Sequence, residues 1–165
     1  MNIKRLIKHL VAPHWIVSRV FPQTALATIE AAISASEKTH DGELRFAVEA
    51  GLHPLPLWRG QTPRQRAEEV FAALRVWDTE HNSGALIYVQ LVDRRIEIVA
   101  DRGISAKVAQ TEWDAICRLM EEAFRAGRFE PGALTAVTEI TALLARHFPP
   151  GGANPNELPD RPVVL

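Results

Sequence analysis

A single cysteine, Cys117, in 165 residues excludes an internal disulfide and every zinc motif built on paired cysteines. It falls on the apolar face of a predicted helix and reads as a small buried hydrophobe. No apolar run approaches the ~18 residues that a membrane span requires. The longest, Gly84 to Val92, contains Tyr88 and Gln90. The glycines match neither the G-x-x-x-x-G-K nor the G-x-G-x-x-G spacing, so no nucleotide cofactor is expected. No Gly-x-Ser-x-Gly elbow is present, and the six histidines form no HExxH pattern. With a formal net charge of -1 and no basic run interleaved with aromatics, nucleic acid is not an expected partner.

What the chain does have is 47% hydrophobic content, enough for one core and too little length for two. Three stretches follow. Residues 1–22 are a basic segment in which Ile3, Leu6, Ile7, Leu10 and Val11 oppose Lys4, Arg5 and Lys8 at helical spacing, up to a stop at Pro13. Nothing after its basic residues resembles a signal peptide, which points to the cytoplasm. Two readings stay open for it: peripheral contact with an anionic inner-membrane surface, or docking on its own domain or a second copy. Residues 23–148 carry the periodic elements, and residues 149–165 form a Pro/Gly-rich tail expected to be flexible or surface-wrapped.

Within 23–148 the pattern predicts a helix from Thr24 to Thr39, then a strand from Glu43 to Ala50 with one face partly wet. Leu52 to Gly60, with two prolines, reads as a loop or edge segment. Thr62-Pro63-Arg64-Gln65 is a capping box, opening a helix to about Asp78 whose stripe includes Trp77. Residues 85–92 have no polar alternation and read as a central strand. Asp93-Arg94 is a hairpin tip, and 95–101 return antiparallel. A helix over 106–126, interrupted near Thr111, carries Trp113 inward, and a last helix runs from Pro131 to Phe148. The whole is a small three-layer α/β/α sandwich with a mixed sheet. Trp15 and Trp58, in irregular segments, are candidates for a groove or a loop anchor.

This topology gathers polar residues at one sheet edge. The strand from Gly84 starts there, the strand ending at Asp101 finishes there, and Asp41-Gly42-Glu43 starts the parallel neighbour. The helix feeding the central strand brings Asp78 and Glu80. The candidate site is therefore Asp41, Glu43, Asp78 and Asp101 as carboxylate ligands, with Asn82 and Arg102 beside them. Such an oxygen-rich rim suits Ca²⁺ or Mg²⁺, and a cation there would polarise a phosphoryl oxygen or activate water. Each residue also has a structural reading as a turn former or a backbone cap. His81 is the only histidine expected near the rim.

The same residues resemble the TPM domain family, named from a thylakoid lumen phosphatase-like protein, a photosystem-repair protein and an acetylcholine-receptor accessory protein. The resemblance rests on Ser36-Glu37 through Gly42-Glu43-Leu44-Arg45, on Arg66-Ala67-Glu68, and on Asn82-Ser83-Gly84-Ala85-Leu86-Ile87-Tyr88. It continues through Val99-Ala100-Asp101-Arg102-Gly103-Ile104, Trp113 and Gly127-Arg128-Phe129-Glu130-Pro131-Gly132. It covers about 24–148 and is nearest the short bacterial branch without signal peptide or membrane anchor. The resemblance implies an α/β/α sandwich with an acidic cleft at Asp41, Glu43, Asp78, Asn82 and Asp101, and Ca²⁺ binding and weak acid-phosphatase activity are attributed to some members. Where many members carry an acid shortly after the glycine equivalent to Gly103, this chain has Lys107 and Gln110. Two functions follow as expectations. One is a binding module whose rim takes a divalent cation or a protein partner, in membrane-associated assembly or maintenance. The other is a low-turnover, metal-assisted acid phosphatase acting on a phosphorylated substrate, with Asp78, Asn82 and Asp101 as catalytic candidates.

Overall fold

The computed structural model describes residues 3–13, 15–151 and 155–165; the side chains of Ile3 and Lys4, both in the N-terminal stripe, lie outside the described residues. Four strands form one mixed sheet: β1 (Glu43–Glu49), β2 (Gly84–Gln90), β3 (Arg95–Ala100) and β4 (Val163–Val164), in the order β3-β2-β1-β4. β1 and β2 are parallel with Glu43 opposite Gly84, and β2 and β3 are antiparallel with Ala85 opposite Ala100. The inner position of β2 follows from its unbroken apolar run, since a strand covered on both faces tolerates no polar alternation.

Helices cover both faces. Leu44, Phe46, Val48, Ala85, Ile87 and Val89 point to the layer built by α3 (Gln23–Ser36), α7 (Gln110–Arg125) and α8 (Phe129–His147). Ala47, Leu86, Tyr88 and Val99 point the other way, against Ala67 and Val70 of α5 (Pro63–Ala73). The period-2 alternation of the strands thus divides the core into the two halves of an α/β/α sandwich. α5 begins as its sequence demands: the Thr62 hydroxyl accepts from Gln65 N and the Gln65 side chain accepts from Thr62 N.

Several expectations are corrected. Leu52 to Gly60 is not plain loop, because Pro54–Trp58 forms a short helix, α4, with proline at its start. α5 ends at Ala73, not near Asp78, and Arg75 takes a left-handed φ of 54°. Trp77 therefore leaves the helical stripe, is 48% exposed, and lies under the Arg75 guanidinium. The helix expected over 106–126 begins only at Gln110, as α7, runs unbroken through Thr111, and has Glu112 accepting from Ala109 N; α6 (Arg102–Ser105) is a separate helical turn before it. The outer face of β1 is buried along its whole length, not partly wet. The tail provides part of that cover: β4 adds in parallel to β1, with Leu165 N donating to Val48 O.

The N-terminal segment docks on its own domain. It forms α1 (Ile3–Leu10) and α2 (Trp15–Val20), and Val17 and Phe21 enter the main core. Arg5 pairs with Asp93 at 2.6 Å on the hairpin tip, and His9 Nδ1 accepts from Leu52 N, leaving Nε2 to donate to Asp93. No helix among the described residues is long and apolar enough to cross a membrane.

Candidate functional site

The expected edge is built by main-chain hydrogen bonds. Glu43 N donates to Ser83 O, Asp101 N to Gly84 O and Gly103 N to Asn82 O, while the Ser83 hydroxyl donates to Asp41 O. Asn82 holds a left-handed φ of 51°, a conformation its short polar side chain tolerates. Its Oδ1 accepts from Arg102 Nε at 2.8 Å. Asp101 caps α6, with Oδ1 accepting from Arg102 N at 2.7 Å. Asp41, Glu43, Asn82 and Asp101 thus lie along one rim, at the starts of β1 and β2 and the end of β3.

Asp78 does not join them. It is exposed and bonded to Arg75 at 2.5 Å. Glu80 is also exposed, and its backbone N–H donates to Glu157 of the tail. Among the described residues, no three His, Cys, Asp or Glu side chains come together in a way that would hold a metal ion. The described carboxylates of the rim thus form no ready-made set of three ligands. Two oxygens are conspicuous all the same: Asp41 Oδ1 and Asp101 Oδ2 are buried and accept no hydrogen bond.

The tail crosses the β1 end of this rim. Gly151 N donates to Asp41 Oδ2 at 2.7 Å, and Glu157 N and Leu158 N donate to the two oxygens of Glu43. Glu43 is fully buried beneath them. Burial holds its carboxyl above the ordinary range, the two amides pull it back, and nearby Glu157 and Asp160 push it up again. The rim left open is thus the stretch from Asn82 to Arg102, with Asp101 in it.

Sequence reasoning missed the polar network below the rim. Glu37, in a 3-10 turn (Glu37–Thr39), accepts from Leu44 N and is pushed up to about 8 by burial, against the amide and with the charges of Glu43 and Asp160 adding to the rise. Arg45 is buried among these acids, with Nε and Nη1 making no hydrogen bond. His81 is exposed near the rim, with its carbonyl against Gly103, but it is not the sole histidine there, because His40 adjoins Asp41. His40 is fully buried, and burial lowers its basicity. Its Nδ1 accepts from Gly42 N, so Nε2–H donates to Ser36 Oγ, and Thr141 follows at 2.6 Å. A signal was present for Glu37, which continues the inward stripe of Leu26, Ile29 and Ile33 at helical spacing; Arg45 falls on the strand face that reads as partly wet, and its cover is tertiary. On the far side of β1, Glu49 binds Arg66 through two 3.0 Å contacts and accepts from Tyr88 Oη.

An open mixed sheet between helical layers, with its polar rim at the strand starts, is the architecture of this chain. The TPM domain matches residues 18–143, and the chain belongs to that family. It is similar to the BA42 protein of the psychrophilic bacterium Bizionia argentinensis, with 27% identity and a TM-score of 0.76 over 86% of this chain and 93% of that one. The N-terminal domain of a protein from P. gingivalis shares the fold at 14% identity and a TM-score of 0.57, covering 86% of this chain and 95% of the other. Among curated proteins, none matches the chain in sequence.

Proposed function

We propose that this TPM domain is a binding module whose open rim receives a cationic group carried by a protein partner. The observation that supports this reading is Asp101 Oδ2, a carboxylate oxygen in the open stretch of the rim that accepts no hydrogen bond. A buried acceptor without a donor costs about 1–3 kcal/mol, and more when charged. A lysine ammonium or arginine guanidinium group would supply the missing donor in a charge-assisted bond. Asn82 and Arg102, locked to each other, set the shape of the rim beside it.

Binding is favoured over hydrolysis by how the rim's hydroxyls and imidazole are engaged. Ser83 donates to Asp41 O, Ser105 donates to Ala100 O, and both nitrogens of His40 are in hydrogen bonds. A hydroxyl nucleophile must pass its proton to a base within reach, and these hydroxyls direct theirs to backbone carbonyls. The expected outcome with p-nitrophenyl phosphate, in Mg²⁺ or Ca²⁺, is no turnover that distinguishes the natural chain from Asp101→Asn. A turnover that the substitution removes, in a variant with unchanged melting temperature, would replace this reading with the phosphatase one.

A further inference from the structure

We infer that the end of the sheet opposite the rim is a docking face for an anionic lipid bilayer, formed by α1, the start of α2, and α4. Three observations converge there. The first is apolar exposure: of ten exposed large hydrophobic residues among the described ones, Ile7, Leu10, Val11, Trp15, Leu55 and Trp58 fall in or next to these segments, each more than half exposed. α1 and α4 pack against each other, so their outward residues belong to one end of the molecule. Apolar exposure gathered at one end of a folded chain marks an interaction surface.

The second observation is charge. All twenty acidic residues lie outside 1–29 and 50–67, the two stretches that supply this face, whereas both stretches contain arginine and the first contains lysine as well. Lys8 and Arg59 are exposed on it. The hairpin tip that abuts it holds Asp93, which is bonded to both Arg5 and His9 and so projects no free negative charge. Arg94, next to it, is exposed. The third observation is the type of aromatic residue. Trp15 and Trp58 are amphipathic rings suited to the headgroup level, and exposed leucine and isoleucine reach the acyl boundary.

The acids nearest this face, Glu68 and Glu69, share a groove with Pro56 and Arg59 and are paired with Arg64 and Arg66. The cations left over give the apolar face a positive margin, which matches an apolar interior beneath anionic headgroups better than it matches a protein partner. Topology makes the two sites compatible. β1 starts at the rim with Glu43 and ends beside α1, where Leu52 N meets His9. A strand of that length separates the faces by roughly 20 Å, so a domain resting on lipid by α1 and α4 would present the rim to water. This inference is independent of what the rim binds.

The test is co-sedimentation of the full chain with phosphatidylglycerol vesicles at low salt, set against phosphatidylcholine vesicles. Binding to the anionic vesicles alone is expected, with a blue shift of tryptophan emission and release at high salt. Leu10→Gln with Trp58→Gln should keep the melting temperature, because both side chains are exposed, and should weaken binding at least tenfold. Lys8→Glu with Arg59→Glu should weaken it by a similar factor, since each cation near an anionic leaflet contributes about fivefold. No binding to anionic vesicles at low salt would overturn the inference. So would binding that both folded variants retain, or a stable dimer of the natural chain that Trp58→Gln dissociates, which would assign the face to a second copy.

Discussion

Gly84→Ala is expected to lower the melting temperature by roughly 6–12 °C, the equivalent of about 3 kcal/mol in a domain of this size. A Cβ at Gly84 would stand 1.9 Å from Val76 O and 3.0 Å from Val76 C and Cγ1. Those are backbone atoms and the root of a β-branched side chain, so no rotamer change removes the clash. The neighbours are pinned as well. Val76 N donates to Phe71 O, and Gly84 O accepts from Asp101 N, so a shift on either side breaks a ladder or a helix-end bond. The displacement would also move Asn82 and Asp101, linking the fold defect to the rim. Thermal unfolding followed by circular dichroism measures it, and a loss below about 1 kcal/mol would show that the 74–78 turn yields freely.

Stability is expected to fall as the pH rises from about 5 to 8, and Glu37→Gln to remove most of that fall. Burial pushes Glu37 from 4.5 up to about 8, with the charges of Glu43 and Asp160 acting in the same direction. The folded chain therefore keeps a proton that the unfolded chain has released across that window, so stability is highest below it and declines through it. The size of the decline is on the order of 3–5 kcal/mol, from ~1.4 kcal/mol per unit. Glu43, raised by burial too, adds to the same trend. Glutamine at position 37 retains an oxygen for Leu44 N and supplies an N–H toward Asp160. At pH 8.5 the variant should melt several degrees above the natural chain, and near pH 4.5 the two should coincide. A natural chain equally stable at pH 5 and 8 would mean that Glu37 ionises in place.

The legible parts of the fold were those governed by local rules. The capping box at Thr62-Pro63-Gln65, the unbroken apolar run of β2 and the charged tip at Asp93-Arg94 each have one physical solution, and the structure adopts it. From these the rim followed, since a parallel crossover and one hairpin fix which strand ends share an edge. The parts that were not legible depend on distant partners. Val163 and Val164 form a strand only because the open edge of β1 is there to receive them. Trp77 left its stripe because Arg75, a residue without glycine's freedom, takes a left-handed turn under tertiary constraint. Glu43 looked like a solvated ligand, and two tail amides more than a hundred residues away convert it into a buried acceptor. Charge and turn propensity alone do not reveal which carboxylates the rest of the chain will cover.

The rim is tested most directly by amide chemical-shift mapping of the ¹⁵N-labelled full chain during titration with a short lysine- and arginine-rich peptide. Saturable shifts are predicted at Asn82, Ser83, Gly84 and residues 101–103, and they should disappear in Asp101→Asn while the rest of the spectrum is preserved. The absence of any saturable shift at those amides, or shifts that persist in the substituted chain, would contradict the assignment of the rim as the binding site.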